Sequence, residues 1–241
     1  SLNGVYNDCH KVWSSRGIYG GEVAQNSLQS FVTAFARGAQ GVEVDVFYDL
    51  EQNDYIVSHD FPYRKKDGKV LLLSTLFEQT GDGHYFWLDF KDLRKLSSKQ
   101  ANAAVQRLQN IAEHFDIKAR IYVEGEHPSK LSLFRDAGFN TLFDTHPEAF
   151  GSILAPLVVN AFKMAFYFGN YTVMGMEYGP LDSPVYSEKT RHRLANVPVF
   201  LYHVPVNSAL LDKLLPMDTV RAFLVGNGQS VNYHYKNNCS Q

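Results

Sequence analysis

The chain has 241 residues, of which 45% are hydrophobic and 14% aromatic, so it can bury a sizeable core. Its net charge of −2 and pI near 6.5 exclude nucleic acid or a membrane surface as a partner held by bulk electrostatics. No apolar run approaches the ~18 residues of a membrane span, so no integral membrane segment is predicted. We expect a monomer with one domain over residues 1–241, the usual arrangement for α/β barrels of this length.

Short apolar runs alternate with helical patterns along the whole chain. In the first helical pattern Leu28, Phe31 and Phe35 share one face, with Asn26 or Ser27 as the N-cap. Similar stripes lie in 101–115, 131–137 and 210–214. Alternation of this kind predicts a parallel sheet covered by helices, and eight units favour one (β/α)8 TIM barrel of the α/β class. The predicted strands are 11–14, 41–48, 85–91, 120–126, 140–145, 171–178, 198–204 and 220–226.

Two acidic residues on the second predicted strand point to a cation site. Glu43 and Asp45 are two positions apart, so they share one face of the strand. Both faces of a parallel barrel strand are normally buried, and two buried carboxylates repel unless a cation compensates. Oxygen ligands suit Mg²⁺ or Ca²⁺, and a pair of ordinary acids at a solvated strand end is the alternative.

The next two strands repeat this spacing. Asp89 and Lys91 point the same way from an apolar segment, so the carboxylate could complete a metal shell and the ammonium could hold a phosphate oxygen. A salt pair that caps the strand is the alternative. Glu124 and Glu126 would add two acids at the same end of the barrel. They could be further metal ligands or partners for hydroxyls or amines of a substrate.

Two aromatic or ionisable residues complete the candidate set. His59 follows a short apolar run and could act as a general acid or base near neutral pH. Tyr202 lies on the seventh predicted strand, where it either lines the pocket or packs in the core. It alternates with His203, so only one of the two should face inward. We expect Glu43, Asp45, His59, Asp89 and Lys91 to converge at the C-terminal mouth of the barrel.

The first 90 residues also contain five short motifs in order. They resemble the opening of the glycerophosphodiester phosphodiesterase family, which runs His-Arg-Gly, Glu-Asn-Thr, Glu-x-Asp, His-Asp and Glu-x-Lys. The five segments are Ser15-Arg16-Gly17, Gln25-Asn26-Ser27, Glu43-Val44-Asp45, Ser58-His59-Asp60 and Asp89-Phe90-Lys91.

The resemblance implies a metal-dependent phosphoric diester hydrolase of lipid metabolism that acts on small glycerophosphodiesters or lysophospholipids. One divalent cation, Mg²⁺ or Ca²⁺, would be held by Glu43, Asp45 and Asp89. A substrate hydroxyl would then attack phosphorus, form a cyclic phosphate and expel the other alcohol. Arg16 and Lys91 would contact the phosphate, and His59 would be one of two histidines that exchange protons.

Ser15 is the main departure from the family pattern, since it stands where the family has its first catalytic histidine. Serine cannot exchange a proton at neutral pH, so activity is expected to be impaired. Gln25 and Asp89 each replace a Glu of the family motifs. Asp-x-Lys also occurs in sphingomyelinase D, which makes a phospholipase of that type one alternative. A catalytically inactive barrel that binds phosphodiesters is the other.

Cys9 and Cys239 lie near the two ends of the chain, and the termini of a barrel tend to meet. A disulfide between them is one expectation, and two unpaired thiols are the other. A disulfide would place the protein in the periplasm or outside the cell. The chain begins at Ser1 rather than Met, as expected after removal of a signal or tag.

Overall fold

The computed structural model describes residues 11–147 and 151–226, with side chains of the helix after residue 150 described from residue 157 onwards. Eight parallel strands form a closed barrel, because β1 pairs with both β2 and β10. The predicted (β/α)8 fold is therefore confirmed, and each predicted strand is present. The barrel strands are β1 (Val12–Ser15), β2 (Gly41–Asp49), β5 (Tyr85–Phe90), β6 (Ile121–Gly125), β7 (Asn140–Thr145), β8 (Val173–Glu177), β9 (Val199–Val204) and β10 (Val220–Val225).

Two further strands extend β2 beyond the barrel wall. β3 (Asp54–Val57) runs antiparallel to the second half of β2, and β4 (Leu71–Leu72) pairs with β3. The first half of β2 pairs with β1, so β3 continues the same edge of β2 where β1 stops. The sequence patterns did not predict this small antiparallel extension as strands, although they did indicate its apolar run.

The helices form the outer layer, and their N-caps explain where several of them begin. Ser27 accepts a hydrogen bond from Ser30 N in a capping box that starts the first helix, and Ser97 and Gln100 form the same arrangement in the third. Apolar positions face the barrel in each case. The helices are α1 (Leu28–Ala36), α2 (Leu73–Thr80), α3 (Ser98–His114), α4 (Pro128–Asp136), α5 (Gly151–Gly169), α6 (Glu188–Leu194) and α7 (Ser208–Leu214), with 3₁₀ turns at Leu93–Lys95 and Lys118–Arg120.

Aromatic rings fill the interior of the barrel below its C-terminal mouth. Trp13 meets Phe200 with ring centroids 5.3 Å apart, and Tyr122 meets Phe200 at 4.9 Å. Trp87 packs against Phe200 from the other side, at 5.4 Å. Gly41 admits the Trp13 ring, because a Cβ at that position would lie 2.4 Å from it. The interior below the mouth is therefore a packed core.

Some sequence predictions concern residues beyond this description. Cys9 and Cys239 both lie outside the described residues, so their pairing and the compartment inferred from it stay predictions. Within the described part of the chain, no helix is long and apolar enough to cross a membrane.

A buried lysine joins the first strand to the last helix. The Lys11 side chain is buried, and its Nζ donates to the carbonyl oxygens of Leu215 at 2.8 Å and Met217 at 3.0 Å. These carbonyls follow α7 and precede β10, so the ammonium helps to close the barrel at the end opposite the mouth.

We expect Lys11→Met to lower the free energy of unfolding by about 1–3 kcal/mol, because two carbonyls would lose their donor. Urea unfolding measures the change, and Lys189→Met on the exposed surface of α6 is the matched control. The control should stay within about 0.5 kcal/mol of the wild type. Equal free energies of unfolding for all three proteins would show that Lys11 does not stabilise the closed barrel.

Candidate active site

The mouth is built from side chains that point into the barrel at the C-terminal ends of its strands. Inward positions alternate along each strand, so a residue two places beyond an interior aromatic reaches the mouth. Trp87 is followed in this way by Asp89, and Tyr122 by Glu124. The mouth opens into a cavity of about 390 Å³. The predicted residues that line it are Ser15, Arg16, Glu43, Asp89, Lys91, Glu124, Glu126 and Tyr202.

Glu43, Asp45 and Asp89 lie together, as expected from the alternation. Asp45 is level with Asp89 on the neighbouring strand, and carboxylate oxygens of all three residues lie within 4.8 Å of one another. Glu43 and Asp45 are buried, and Asp89 is partly exposed to the cavity.

Asp45 makes four contacts with three residues. Asn26 Nδ2 donates to its Oδ2 at 2.6 Å, and the Asp45 backbone N donates to Asn26 Oδ1 at 3.1 Å. Arg16 Nε lies 2.9 Å from Oδ2, and Lys91 Nζ lies 2.7 Å from Oδ1. Lys91 also bonds to Asp89. One fully buried carboxylate therefore fixes both of the predicted phosphate-binding cations.

Arg16 and Gln25 show how the first two motifs fit together. Arg16 adopts φ 58° and Gly17 φ 78°, so the chain turns sharply as it leaves β1. Arg16 Nη1 donates to Gln25 Oε1 at 3.2 Å, which places Gln25 beside the guanidinium. The turn directs Arg16 toward Asp45 across the mouth.

The ionisation of these groups reflects burial and crowding. The pKa of Glu43 is raised well above its ordinary value by burial, and further by Asp45 and Asp89. Burial raises the pKa of Asp89 to about 6, with Lys91 opposing and Asp45 reinforcing the shift. Burial also tends to raise the pKa of Asp45, but Lys91 and Arg16 outweigh it and the net shift is downward.

The three carboxylates are therefore short of positive charge. Arg16 and Lys91 supply two cations for three acids, and burial together with the neighbouring carboxylates raises the pKa values of Glu43 and Asp89. The donor atoms are all carboxylate oxygens, the type that hard divalent cations prefer. The residues present thus fit a divalent metal, and the acidic cluster suggests a site for one.

Ser15 is joined to this cluster. Its Oγ donates to Glu43 Oε2 at 2.8 Å, so the hydroxyl that stands at the first-histidine position contacts a predicted metal ligand. Ser15 is also level with Glu43 on the neighbouring strand.

A second group of ionisable residues lies on the β6–β7 side of the same cavity. His146 Nε2 is 2.9 Å from Asp144 Oδ2 and 3.3 Å from Glu126 Oε1, and its Nδ1 is 3.3 Å from the Tyr202 hydroxyl. Between the two groups, Glu124 accepts a hydrogen bond from the Trp87 indole. Burial, followed by Asp89 and Asp144, raises the pKa of Glu124 well above its ordinary value.

His59 lines a pocket that adjoins this cavity, whereas the sequence predicts it at the cavity itself. β3 runs antiparallel to β2, so the chain after it returns beside Asp45, where Ser58 N donates to Asp45 O at 3.1 Å. His59 then lies in this adjoining pocket of about 140 Å³, which is lined also by Gln25 and Asn26, and its Nδ1 is 2.8 Å from Asp60 Oδ1.

Tyr202 and His203 take different positions at the end of β9. Tyr202 points inward and packs against Trp87, with ring centroids 6.5 Å apart. His203 adopts φ 50°, and its Nδ1 reaches Glu177 Oε1 at the rim, 3.1 Å away. Both residues line the cavity, because the unusual backbone at His203 breaks the alternation.

Sequence reasoning missed Asn26 as a site residue, together with Asp144 and His146. The sequence indicates Asn26 as a possible N-cap and as part of the second motif, whereas the structure shows its side chain bonded to Asp45. Asp144 and His146 have the same two-residue spacing as Glu43 and Asp45, at the end of a predicted strand. That spacing is the signal that could have found them.

Comparison with known proteins identifies the type of barrel. No protein-family model and no curated protein matches the sequence. A solved structure of a candidate glycerophosphoryl diester phosphodiesterase from Agrobacterium tumefaciens has a TM-score of 0.68 at 15% identity, covering 91% of this chain and 94% of its own. A glycerophosphodiester phosphodiesterase from Parabacteroides distasonis has a TM-score of 0.63 at 14% identity. The match covers 91% of this chain and 93% of the other.

A third structure shows how far this similarity reaches. Phosphoribosyl anthranilate isomerase from Thermus thermophilus has a TM-score of 0.50 at 11% identity, covering 93% of this chain and 94% of its own. Barrels of one architecture support unrelated chemistries, so identities this low show the fold alone. The chain is a (β/α)8 barrel with the fold of the phosphodiesterase structures.

We expect Glu43→Gln to weaken binding of a divalent cation by more than the ~10–100-fold typical of residues that only orient a ligand. The amide removes a charge from a set of three carboxylates. Calorimetric titration measures the affinity, and Glu188→Gln, at an exposed position on α6, is the control. Equal affinities of the wild type and Glu43→Gln would contradict the site.

Proposed function

We propose that the protein is a metal-dependent phosphodiesterase that cleaves small glycerophosphodiesters or lysolipid phosphodiesters. The observation that carries this proposal is the cluster at the barrel mouth, where Arg16 and Lys91 lie against three carboxylates that are short of positive charge. The similarity of the barrel to glycerophosphodiester phosphodiesterases supports it. The motifs of the first 90 residues support it independently of the fold.

Arg16 and Lys91 are the groups that bind the phosphate. Both are held by Asp45, so they keep their positions before substrate arrives and lose little freedom on binding it. Asp89 and Asp45 raise the pKa of Lys91 against the effect of its burial, so its ammonium remains charged. Two fixed cations on one side of the cavity would orient the phosphodiester with its remaining alcohol toward β6 and β7.

Glu43, Asp45 and Asp89 are the residues that would hold the divalent cation, Mg²⁺ or Ca²⁺. Bound there, the ion would neutralise charge on the phosphoryl oxygens and orient a neighbouring substrate hydroxyl. That hydroxyl would give its proton to water as it attacks phosphorus, and the bond to the other alcohol would break as the leaving oxygen takes up a proton.

The cavity limits the size of the substrate. A volume of about 390 Å³ matches a small head group rather than a folded macromolecule. Trp87, Tyr202 and Leu224 supply apolar wall next to the charged groups. A glycerophosphodiester would fill the cavity, whereas the acyl chain of a lysophospholipid would extend out of the mouth.

A catalytically inactive binding barrel is the second candidate, and two observations favour it. Ser15 offers a hydroxyl to Glu43 where the family pattern has a histidine, and His59 lies in the neighbouring pocket against Asp60. Such a protein would keep the cation and phosphate contacts without turnover. Activity measurements separate the two candidates.

We expect cleavage of glycerophosphocholine or a lysophospholipid in the presence of Mg²⁺ or Ca²⁺, and loss of that activity with a chelator. Asp89→Asn should lower kcat/KM by roughly 10²–10³-fold, as removal of one charge-stabilising group does. Asp136→Asn, at an exposed helix end, is the control. A sphingomyelin arm tests the phospholipase alternative, and binding without cleavage of any substrate would favour the inactive barrel.

We expect Ser15→His to raise kcat far more than it changes KM. A general acid–base group contributes about 10²–10⁴-fold, and the groups that bind the phosphate are present in both proteins. A gain in kcat alone indicates an interaction made in the transition state. Ser15→Ala is the matched control, which removes the hydroxyl without adding a proton carrier. A wild type as fast as Ser15→His would show that this position does not limit the reaction.

A further inference from the structure

Expulsion of an alcohol from phosphorus requires a proton donor, because an alkoxide is a poor leaving group. Neither family histidine position supplies one at the main cavity. Ser15 replaces the first, and His59 lines the adjoining pocket, where it pairs with Asp60. Within the described chain, the histidines that line the main cavity are His127, His146 and His203.

These three histidines differ in what holds them. His127 contacts Ser129 Oγ at 3.1 Å, and His203 contacts Glu177 at the rim with more than half of its side chain exposed. His146 lies 2.9 Å from Asp144, whose side chain is only 5% exposed. Of the three, His146 is therefore the one that a buried carboxylate fixes in place.

The contacts of His146 place two carboxylates beside one nitrogen of its ring. Nε2 lies between two carboxylates, Asp144 on its own strand and Glu126 on β6. Two anions beside one imidazole stabilise the imidazolium. Nδ1 meets the Tyr202 hydroxyl at 3.3 Å, slightly longer than the usual range for a hydrogen bond. A substrate oxygen could replace that contact at little cost.

We propose that His146 is the general acid that protonates the leaving alcohol, a role that rests on the phosphodiesterase function proposed above. As the bond from phosphorus to the leaving oxygen breaks, its electron pair stays on that oxygen. The oxygen takes the Nδ1 proton of His146, and the alcohol departs neutral. Asp144 is a positioning residue, because it acts through the Nε2 of His146 and not on the substrate.

The position of His146 across the mouth suits this role. Arg16, Asp45 and Lys91 define the phosphate side on β1, β2 and β5, and β6 and β7 follow in the barrel order. Glu124 lies between the phosphate side and the group around His146, since it interacts electrostatically with both Asp89 and Asp144. An alcohol leaving the phosphate on that side departs toward His146.

The test compares two glycerol phosphodiesters that share the attacking hydroxyl and differ in the leaving group. Choline needs a proton to leave, whereas p-nitrophenolate leaves without one. His146→Gln should lower kcat on glycerophosphocholine by about 10²-fold or more and change kcat on the p-nitrophenyl ester only a few-fold. His192→Gln, at an exposed position on α6, is the control and should leave both rates unchanged.

A pH profile tests Asp144. The ionisable groups that face His146 are Asp144, Glu126 and Tyr202, and on β8 Glu177 is paired with His203. Asp144→Asn removes one of the anions that hold the imidazolium proton. The fall of kcat at high pH, measured with glycerophosphocholine, should therefore move to lower pH. The pH profile measured with the p-nitrophenyl ester should not show this shift. This second variant keeps the test decisive if His146→Gln does not fold.

Several outcomes would overturn the proposal. Equal losses on both esters would indicate a structural role, and no loss on either would show that His146 is not the acid. A second divalent ion that calorimetry finds in the wild type and not in His146→Gln would make Glu126, Asp144 and His146 a metal site instead. If the wild type cleaves neither ester, the phosphodiesterase function itself fails, and the acid role fails with it.

Discussion

The carboxylate of Asp45 is the constraint on which the mouth depends. It is fully buried, and a buried anion is tolerated only with partners for its oxygens. Asn26, Arg16 and Lys91 satisfy that requirement from the start of α1, the turn after β1 and the end of β5. Three separate segments of the chain are therefore brought to one point by a single side chain.

This arrangement also explains why the motifs of the first 90 residues stay together. The backbone of Asp45 contacts Asn26 and Ser58, so the second and fourth motifs are fixed to the third through main-chain groups. Arg16 completes the link to the first motif and Lys91 the link to the fifth. A change at Asp45 would disturb all of them together, whereas a change at Glu126 would act on the β6–β7 side of the cavity.

Much of the fold and half of the mouth could be predicted from the sequence, because strand alternation acts locally. The two-residue spacing of Glu43 and Asp45, and of Asp89 and Lys91, is enough to place each pair on an inward face. His59 could not be placed in this way, since its position depends on the antiparallel pairing of β3 with β2. The contact between His203 and Glu177 depends on a backbone angle that no spacing reveals.

The aromatic layer inside the barrel limits how molecules enter and leave the site. It is formed by Trp13, Trp87, Tyr122 and Phe200. These rings close the barrel beneath the charged residues, so the cavity is closed at its inner end and open only at the mouth. Reactant and products must then pass through the same opening. Under the proposed function, the released alcohol and the cyclic phosphate would both leave through that opening, and a phosphate product retained by Arg16 and Lys91 would block the next substrate.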